Sequence, residues 1–356
     1  MTKKLYPLKF SPIPKERVWG GNRLAIHYNR NFDTNKIIGE SWDISGFEED
    51  SSIVSEGYLE KNNLYDIMET YMSEIVGEDN YKHYGNEFPL LLKTLDIQDK
   101  LSLQVHPDDE TAFDRHNSYG KDEIWYIMDT THNAKIYMGF NRDVTPSEFY
   151  ERCKNGNVED VLNIYTPKKG DFFYIKAGTV HSADKGIDIV ELEKLSDVTY
   201  RLYDWGRENN PAIARDMHLD LAFDCIDYKK YDPVQYFRPA GWQSHHHVHE
   251  HIKDADKLPS TLLKNNFCTV TKLILSDTLH IYTDKYESFI IYYCTEGEAK
   301  IHLNTDKNEY SLKKGEVILI PASLDDFYIT PISPNSEILE CYIEAHEEEK
   351  DDYIEE

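Results

Sequence analysis

The chain has few cysteines and no pattern among them. Its five thiols, Cys153, Cys225, Cys268, Cys294 and Cys341, are odd in number, scattered, and never in CxxC spacing. That excludes a disulfide framework and a zinc knuckle, and reads as a reduced, cytoplasmic protein whose thiols serve as small hydrophobes. Long apolar runs are missing too. None approaches the roughly 18–20 residues that cross a bilayer, and the opening MTKKLYPLKF has two lysines but no apolar stretch of signal-peptide length. Positive charge is scarce: Lys and Arg number 39 against 65 Asp and Glu, a net charge of −26. Such a surface speaks against nucleic acid or an anionic membrane as partner. An anionic ligand would need a locally basic pocket inside this acidic protein.

At 356 residues there is room for one large domain or two ordinary ones, and 40% hydrophobic content with 26 tyrosines suits an ordinary packed core. The most informative stretch is Leu101–Asp109, LSLQVHPDD. Leu101, Leu103 and Val105 alternate with Ser102, Gln104 and His106, so in a strand the apolar set faces a core and the polar set a cavity. Pro107 ends the strand, because it has no N–H to give a ladder. Gln104 and His106 then lie about 7 Å apart on one face and can converge on one ion. Glu123 lies in the strand KDEIWYIM (121–128), on the face it shares with Lys121 and Trp125. His181 ends GTVH (178–181), which follows the strand Asp171–Lys176. We read Gln104, His106, Glu123 and His181 as the ligands of one metal. Two imidazoles, a carboxylate and an amide oxygen suit Zn²⁺, with Fe²⁺, Mn²⁺ and Co²⁺ as competitors. The neutral Gln is a weak ligand that leaves a position open, which points to catalysis rather than structure.

Around this stretch the pattern is mostly β. Lys15–Gly21 (KERVWGG) carries a glycine pair that lets backbone pass close to something, and Gly39–Ser45 (GESWDIS) puts Glu40, Trp42 and Ile44 on one face. Trp19 and Trp42 read either as core aromatics or as the roof of a pocket. Phe88–Leu95 (FPLLLKTL) is an apolar strand interrupted by Lys93, which either snorkels to solvent or faces the cavity. Asn62–Val76 has helical spacing, with Leu64, Ile67, Met68, Tyr71 and Ile75 in one stripe and Gly77 at its end. Further helices are expected over Pro107–Asn117, from the capping box Thr145-Pro146-Ser147-Glu148 towards Lys154, and over Val158–Ile164. Asp188–Asp204 holds two strands, the second with Asp197, Thr199, Arg201 and Tyr203 on one face.

An internal repeat organises the whole. KKGDFFYIKAGTVH (168–181) recurs in outline as KKGEVILIPASLDD (313–326), and YIMDTTHNAKIYMG (126–139) as YYCTEGEAKIHLN (292–304). Two self-similar all-β units imply two small barrels, roughly Phe88–Asp204 and Thr261–Glu344, in a mainly β protein with a few short helices. Asp326 stands in the repeat where His181 stands in the first copy, and Gln104–His106 has no counterpart, so the second barrel is expected to lack the metal. Residues 1–240 are expected to form the metal-binding domain, with its N-terminal strands, a helical insert at Asp143–Ile164 and the Asn62–Val76 helix packed about it. A His-rich linker (241–260), the C-terminal barrel (261–345) and an acidic tail (346–356) complete the division. His245–His251 could chelate metal in vitro, but it sits in the polar linker and is assigned no role.

Arg201 is the second element of the site. Its strand face also carries Asp197, and Lys121 lies two residues from Glu123. The bland reading is an Arg201–Asp197 ion pair at a sheet surface. The functional one is a positive wall that holds an anionic substrate and stabilises developing negative charge. Lys93 and Lys100 cluster near these motifs and are candidate substrate contacts, although alternation leaves their facing open.

QVHPDD, KDEIWYI, GTVHS and the Ser196–Arg207 stretch SDVTYRLYDWGR together resemble class I mannose-6-phosphate isomerases, zinc-dependent members of the cupin superfamily, in their shorter bacterial form. KERVWGG and GESWDIS match the same family, and the resemblance covers nearly the whole chain, most strongly Phe88 to Arg207. It implies two cupin (jelly-roll) barrels and one Zn²⁺ per chain on Gln104, His106, Glu123 and His181. It also implies Arg201 and Lys121 as active-site cations, Asp197 as a carboxylate for proton transfer, and Ser102 at a substrate-phosphate contact. The implied reaction interconverts mannose 6-phosphate and fructose 6-phosphate. The open-chain sugar loses its C2 proton, passes through a cis-enediolate and regains a proton at C1. Asp197, Lys121 and metal-bound water are all eligible carriers of that proton. The expected partner is a small sugar phosphate, for a monomer or homodimer that binds neither nucleic acid nor membrane. Competing readings are a non-isomerase cupin, either a metal-dependent sugar-binding regulator or an oxygenase, and an isomerase of another sugar, an unphosphorylated hexose or a different phosphosugar. Oxygenase cupins favour His-rich ligand sets for redox-active iron, which the Gln104 ligand together with Arg201 and Lys121 argues against.

Overall fold

The computed structural model describes residues 3–28, 30–242, 259–304 and 308–344. The His245–His251 cluster and the 346–356 tail lie outside them. Contacts divide the chain into two units, Phe10–Leu64 with Phe88–Gln243, and Met1–Lys9 with Tyr65–Glu87 and Ser244–Glu356. Each contains two larger antiparallel sheets, so the expected mainly β, two-barrel architecture is the one the chain adopts.

In the first unit a seven-stranded sheet runs in the order Phe237–Arg238, Phe172–Ile175, Glu123–Thr130, Ile187–Lys194, Leu90–Ile97, Ile38–Ile44, Ile13–Gly21. Its companion has five strands, in the order Tyr200–Tyr203, Leu103–Val105, His181–Ala183, Ile136–Phe140, Leu162–Tyr165. One core takes Trp125, Ile127, Phe173 and Ile189 from the large sheet and Ile136, Met138 and Ala183 from the small one. Leu103, Val105, Tyr137 and Tyr200 belong to a different core, with Phe149 and Cys153 of the helix Pro146–Asn155. Alternation therefore sends Leu103 and Val105 out beneath that helix and leaves Gln104 facing the barrel interior.

Along the large sheet the inner face changes character within single strands. In Ile187–Lys194, Ile187 and Ile189 are followed on the same face by Glu191 and Glu193. Register sets Ile189 opposite Leu95 and Ile127, Glu191 opposite Lys93 and Trp125, and Glu193 opposite Leu91 and Glu123. One end of the barrel is thus filled with hydrocarbon, and the other is a buried charged chamber.

Local signals account for the helices that flank it. Thr145 Oγ1 accepts the Glu148 N–H at 3.2 Å, and Gly156, at φ 69°, closes Pro146–Asn155. Asp108 accepts the Thr111 N–H at 2.9 Å and caps Asp109–His116. Two expectations change. Val158–Ile164 is only a 3-10 turn, Val158–Val161, followed by the strand Leu162–Tyr165 on Ile136–Phe140. The open edge of the small sheet satisfies that backbone more fully than one more helical turn would. The Asn62–Val76 helix breaks at Met72 (φ 49°) into Leu64–Tyr71 and Ser73–Val76. From Tyr65 onward it groups with the second unit, not with the first barrel. The Ala322 and Ser323 N–H groups donate to Ile75 O and Glu74 O at 2.9 and 3.0 Å, satisfying carbonyls its last turn leaves open. The first barrel is therefore not one continuous 1–240 segment.

The second unit repeats the plan. One sheet runs Ser260–Lys264, Thr269–Leu275, Ser336–Tyr342, Ile290–Glu296, Val317–Ile320, and the other Leu279–Ile281, Phe327–Pro331, Glu298–Leu303, Glu309–Lys313. Glu123 begins its strand opposite Ile175; at the same point of the repeat, Ile290 pairs with Ile320. The register survives and the carboxylate does not.

The KERVWGG glycines mark a close approach. A Cβ on Gly20 would run into Gly39 N and lie 2.5 Å from Gly39 Cα, so Ile13–Gly21 and Ile38–Ile44 meet backbone to backbone there. Gly20→Ala should cost about 2 kcal/mol and lower the thermal midpoint by roughly 4–8 °C, as followed by circular dichroism. An unchanged midpoint would show that the two strands part without strain.

Candidate metal centre

Three neighbouring strands of the small sheet put Arg201, Gln104 and His181 side by side, for Gln104 is in register with both of the others. His106 follows where Leu103–Val105 ends, and the Gly178 N–H donates to its carbonyl at 2.9 Å, tying the GTVH turn to the QVHP turn. From the large sheet, Glu123 enters the same space. The side-chain ligand atoms of His106, Glu123 and His181 all lie within 4.8 Å of one another. His106 Nε2 is 3.0 Å from Glu123 Oε1, and His181 Nε2 is 3.4 Å from Glu123 Oε2.

The other ring nitrogens fix the tautomers. His106 Nδ1 donates to Val198 O at 3.0 Å and His181 Nδ1 to Thr179 O at 2.9 Å, which leaves both Nε2 lone pairs directed at the carboxylate. Burial pushes His106 down to about 4, against the pull of Glu123, so its ring is neutral near pH 7. Burial works against the Glu123 carboxylate as well, but it stays well below the usual range, with the Lys121 ammonium 3.2 Å away favouring its charge. His106 Nε2 and Glu123 Oε2 are buried without a hydrogen-bond partner, a costly arrangement for two acceptors unless a cation sits between them. The donor set fits a divalent metal. Gln104 turns its amide nitrogen towards His181 Nε2, at 3.1 Å; as a ligand it would present Oε1 there instead, by a half-turn of the amide.

A cavity of about 330 Å³ opens beside this cluster, lined by Gln104 and Glu123 and, among others, by Ser102, Lys93, Lys121, Asp197 and Arg201. Trp19 and Trp42, both buried, line it as well, so they are core aromatics and pocket walls at once. Lys93 is buried, 3.2 Å from Glu191 and 2.5 Å from Glu193. Lys121 is 3.2 Å from Glu123 and 2.9 Å from Glu193. Burial would lower both ammoniums, but the Glu193 carboxylate leads the set that raises them. Asp197 is exposed and precedes its strand, which begins only at Tyr200. Among the described residues no Arg201–Asp197 ion pair forms; Arg201 Nη1 donates to Asp216 O at 2.5 Å instead. A register shift after Arg201 breaks the alternation, and Tyr203 packs with the outer core rather than the cavity.

Lys100 departs from the expected set. It does not line the cavity; its ammonium lies 3.2 Å from Glu159 and 3.8 Å above the Trp205 ring. It precedes the strand, where alternation no longer dictates direction. Arg17, Glu40, Glu191 and Arg215 line the cavity without having been singled out as site residues. Glu40 takes both prongs of Arg17 at 2.7 and 2.9 Å and the Trp42 Nε1–H at 2.8 Å. His27, Asp129 and Asp188 also come within metal-ligand reach. There Arg23 already supplies the cation, 2.6 Å from Asp129 and 3.1 Å from Asp188.

Two-sheet barrels with a His–Glu–His cluster at the charged end define a cupin protein with a candidate metal site. Residues 8–152 match the family model for the phosphomannose isomerase type I catalytic domain, and residues 260–331 the one for the mannose-6-phosphate isomerase cupin domain. Mannose-6-phosphate isomerase ManA of Bacillus subtilis is 33% identical over 90% of this chain and 95% of its own. The Streptococcus mutans mannose-6-phosphate isomerase is 29% identical over 89% and 93%. A crystal structure of the Bacillus subtilis mannose 6-phosphate isomerase superposes with a TM-score of 0.79, at 27% identity, over 95% of this chain and 99% of that one. The chain belongs to the type I phosphomannose isomerase family.

The buried imidazole makes the metal-free protein sensitive to acid. His106 takes up a proton near its ordinary 6.5 when unfolded, but only near 4 in the fold. The unfolded state is protonated first, so stability is whole above pH 6.5 and drains as pH falls towards 4. On the order of 3 kcal/mol is at stake. Denaturant titrations of metal-free protein at pH 7, 5.5 and 4.5 should show this fall, and His106→Gln should flatten it. An equal slope in the variant would assign the acid sensitivity to other groups.

Proposed function

We propose that the chain interconverts mannose 6-phosphate and fructose 6-phosphate through a cis-enediolate, with one Zn²⁺ held by Gln104, His106, Glu123 and His181. The observation that carries this reading is the pair of unpartnered acceptors, His106 Nε2 and Glu123 Oε2, buried beside a cavity lined by cations in a chain of net charge −26. When bound, Zn²⁺ supplies Lewis-acid stabilisation of the negative charge that develops on the sugar oxygens.

The protein's own residues do the rest. Lys121 stays protonated, because Glu193 and Glu123 raise its pKa in spite of burial. It therefore stabilises charge and makes a poor base. Arg201, on the cavity wall, attracts the phosphoryl end and adds to that stabilisation. Asp197 is left as the carboxylate that takes the C2 proton and returns it to C1. Ser102, buried beside Gln104, and Lys93 complete the polar lining that orients the sugar. The walls of Trp19 and Trp42 exclude water from one side, which strengthens every charge interaction within. None of the five cysteines is in a disulfide, which supports a cytoplasmic protein, a monomer or homodimer acting on a small sugar phosphate. No described helix is long and apolar enough to cross a membrane.

The test is the isomerase assay itself, with and without a chelator, on mannose 6-phosphate and on free mannose at several salt concentrations. We expect chelation to abolish turnover and Zn²⁺ to restore it. The ester should be strongly preferred, and that preference should shrink as ionic strength rises. Full activity after chelation would remove the metal from the mechanism. Equal efficiency on both sugars would keep the isomerase and discard the phosphate.

A further inference from the structure

We infer that Arg215 is the specificity-determining residue for the phosphoryl group: with Arg201 it forms a two-guanidinium clamp for a phosphate monoester dianion, and the buried Asp204 positions it. This inference rests on the isomerase reading above and names the element that would read the ester.

Arg201 and Arg215 line the same cavity, and one short framework carries both. The Arg201 N–H donates to His218 Nδ1 at 3.1 Å and the His218 N–H returns to Arg201 O at 2.9 Å, zipping the segment after Arg215 onto the Arg201 strand. Arg201 Nη1 donates to the carbonyl of Asp216, the residue next to Arg215, at 2.5 Å. In return, Arg215 reaches Asp204 through Nε at 3.1 Å and Nη2 at 2.6 Å, just past the end of that strand. The Arg201 guanidinium thus holds the backbone beside Arg215, and the Arg215 guanidinium holds a carboxylate just past the Arg201 strand, while their charges repel.

The charge left unanswered there is that of Arg201. Asp204 is fully buried and is shared with Arg207, whose Nη2 donates to it at 2.7 Å. Arg207 Nη1 also reaches Asp99 at 2.9 Å, so two carboxylates balance the Arg207 and Arg215 guanidiniums, and Arg215 has only a shared carboxylate. Among the described residues Arg201 has no carboxylate within ion-pair distance, and its Nε is buried without a hydrogen-bond partner. The other cavity cations are spent: Arg17 on Glu40, Lys93 on Glu191 and Glu193, Lys121 on Glu123 and Glu193. Burial first, and the charge of Arg215 after it, push Arg201 down to about 10. Such a pair is stable when an anion accepts from both forks. A phosphate monoester offers three oxygens and about two negative charges, and the planar guanidinium matches them in pairs.

The decisive comparison sets wild type against Arg215→Gln and Arg215→Lys, with two readouts. In turnover, Arg215→Gln should raise KM for mannose 6-phosphate by about 10- to 100-fold, the scale of a lost charge-assisted pair. kcat should fall far less, zinc content should hold, and Arg215→Lys should recover part of the loss. In calorimetry, inorganic phosphate should bind wild type and bind Arg215→Gln at least tenfold more weakly. The second readout needs no turnover, so it judges the clamp even if the wild type fails to isomerise the ester and the functional reading falls. Equal phosphate affinity in wild type and Arg215→Gln, or a variant that loses kcat and zinc with KM unchanged, would overturn the clamp.

Discussion

Glu193 lies fully buried between two ammoniums, 2.5 Å from Lys93 and 2.9 Å from Lys121, and the charged end of the barrel depends on that arrangement. An isolated ion in such a place costs several kcal/mol. Here each charge meets the next, Lys93 to Glu193, Glu193 to Lys121 and Lys121 to Glu123, and Glu123 then faces the two neutral imidazoles. This chain of contacts crosses from the large sheet to the small one. It holds Glu123 ionised and low, and it keeps Lys121 a cation. Removing one member would leave its neighbours buried and unanswered, so the network specifies the site more than it stabilises the fold.

The hydrocarbon half of the same barrel makes this possible. Ile187, Ile189, Leu95, Ile97 and Ile127 pack the other end of the strands that carry Glu191, Glu193, Lys93 and Glu123. Stability and chemistry are thereby separated along single strands. The second unit shows what the same plan becomes without the chemistry. Ile290 takes the place of Glu123 in register. Asp326, the counterpart of His181, accepts the Thr283 N–H at 3.2 Å and faces His280 at 3.4 Å. Among the described residues, every group of three metal-ligand side chains lies in the first unit.

Much of this was legible in the sequence, for a physical reason. Period-two alternation tells which side chains share a face, and Gln104, Glu123 and Lys121 sit in or beside strands whose faces obey it. His106 and His181 could be placed because Pro107 and the GTVH turn mark where strands stop and start. Glu191 and Glu193 carried the same kind of signal, two acids on a face that begins as isoleucine, and Arg17 stands two residues from Trp19. Arg215 carried none. It lies in an irregular segment, and only the fold brings it to Asp204. Lys100 misled because nearness in sequence is not direction: one residue before Leu101, it turns to Trp205 and Glu159 instead. The helix from Leu64 was read correctly as amphipathic, yet amphipathicity does not say which core will take the apolar stripe.

Everything proposed about the site presumes that one metal sits among Gln104, His106, Glu123 and His181. The most direct measurement is zinc stoichiometry, by mass spectrometry of the metal, in wild type and in the His106→Ala/His181→Ala double variant. One ion per folded wild-type chain and none in the variant is the result this account requires. Zinc retained at full stoichiometry in the double variant would contradict it, and would move the site elsewhere in the chain, with the His245–His251 cluster the first place to look.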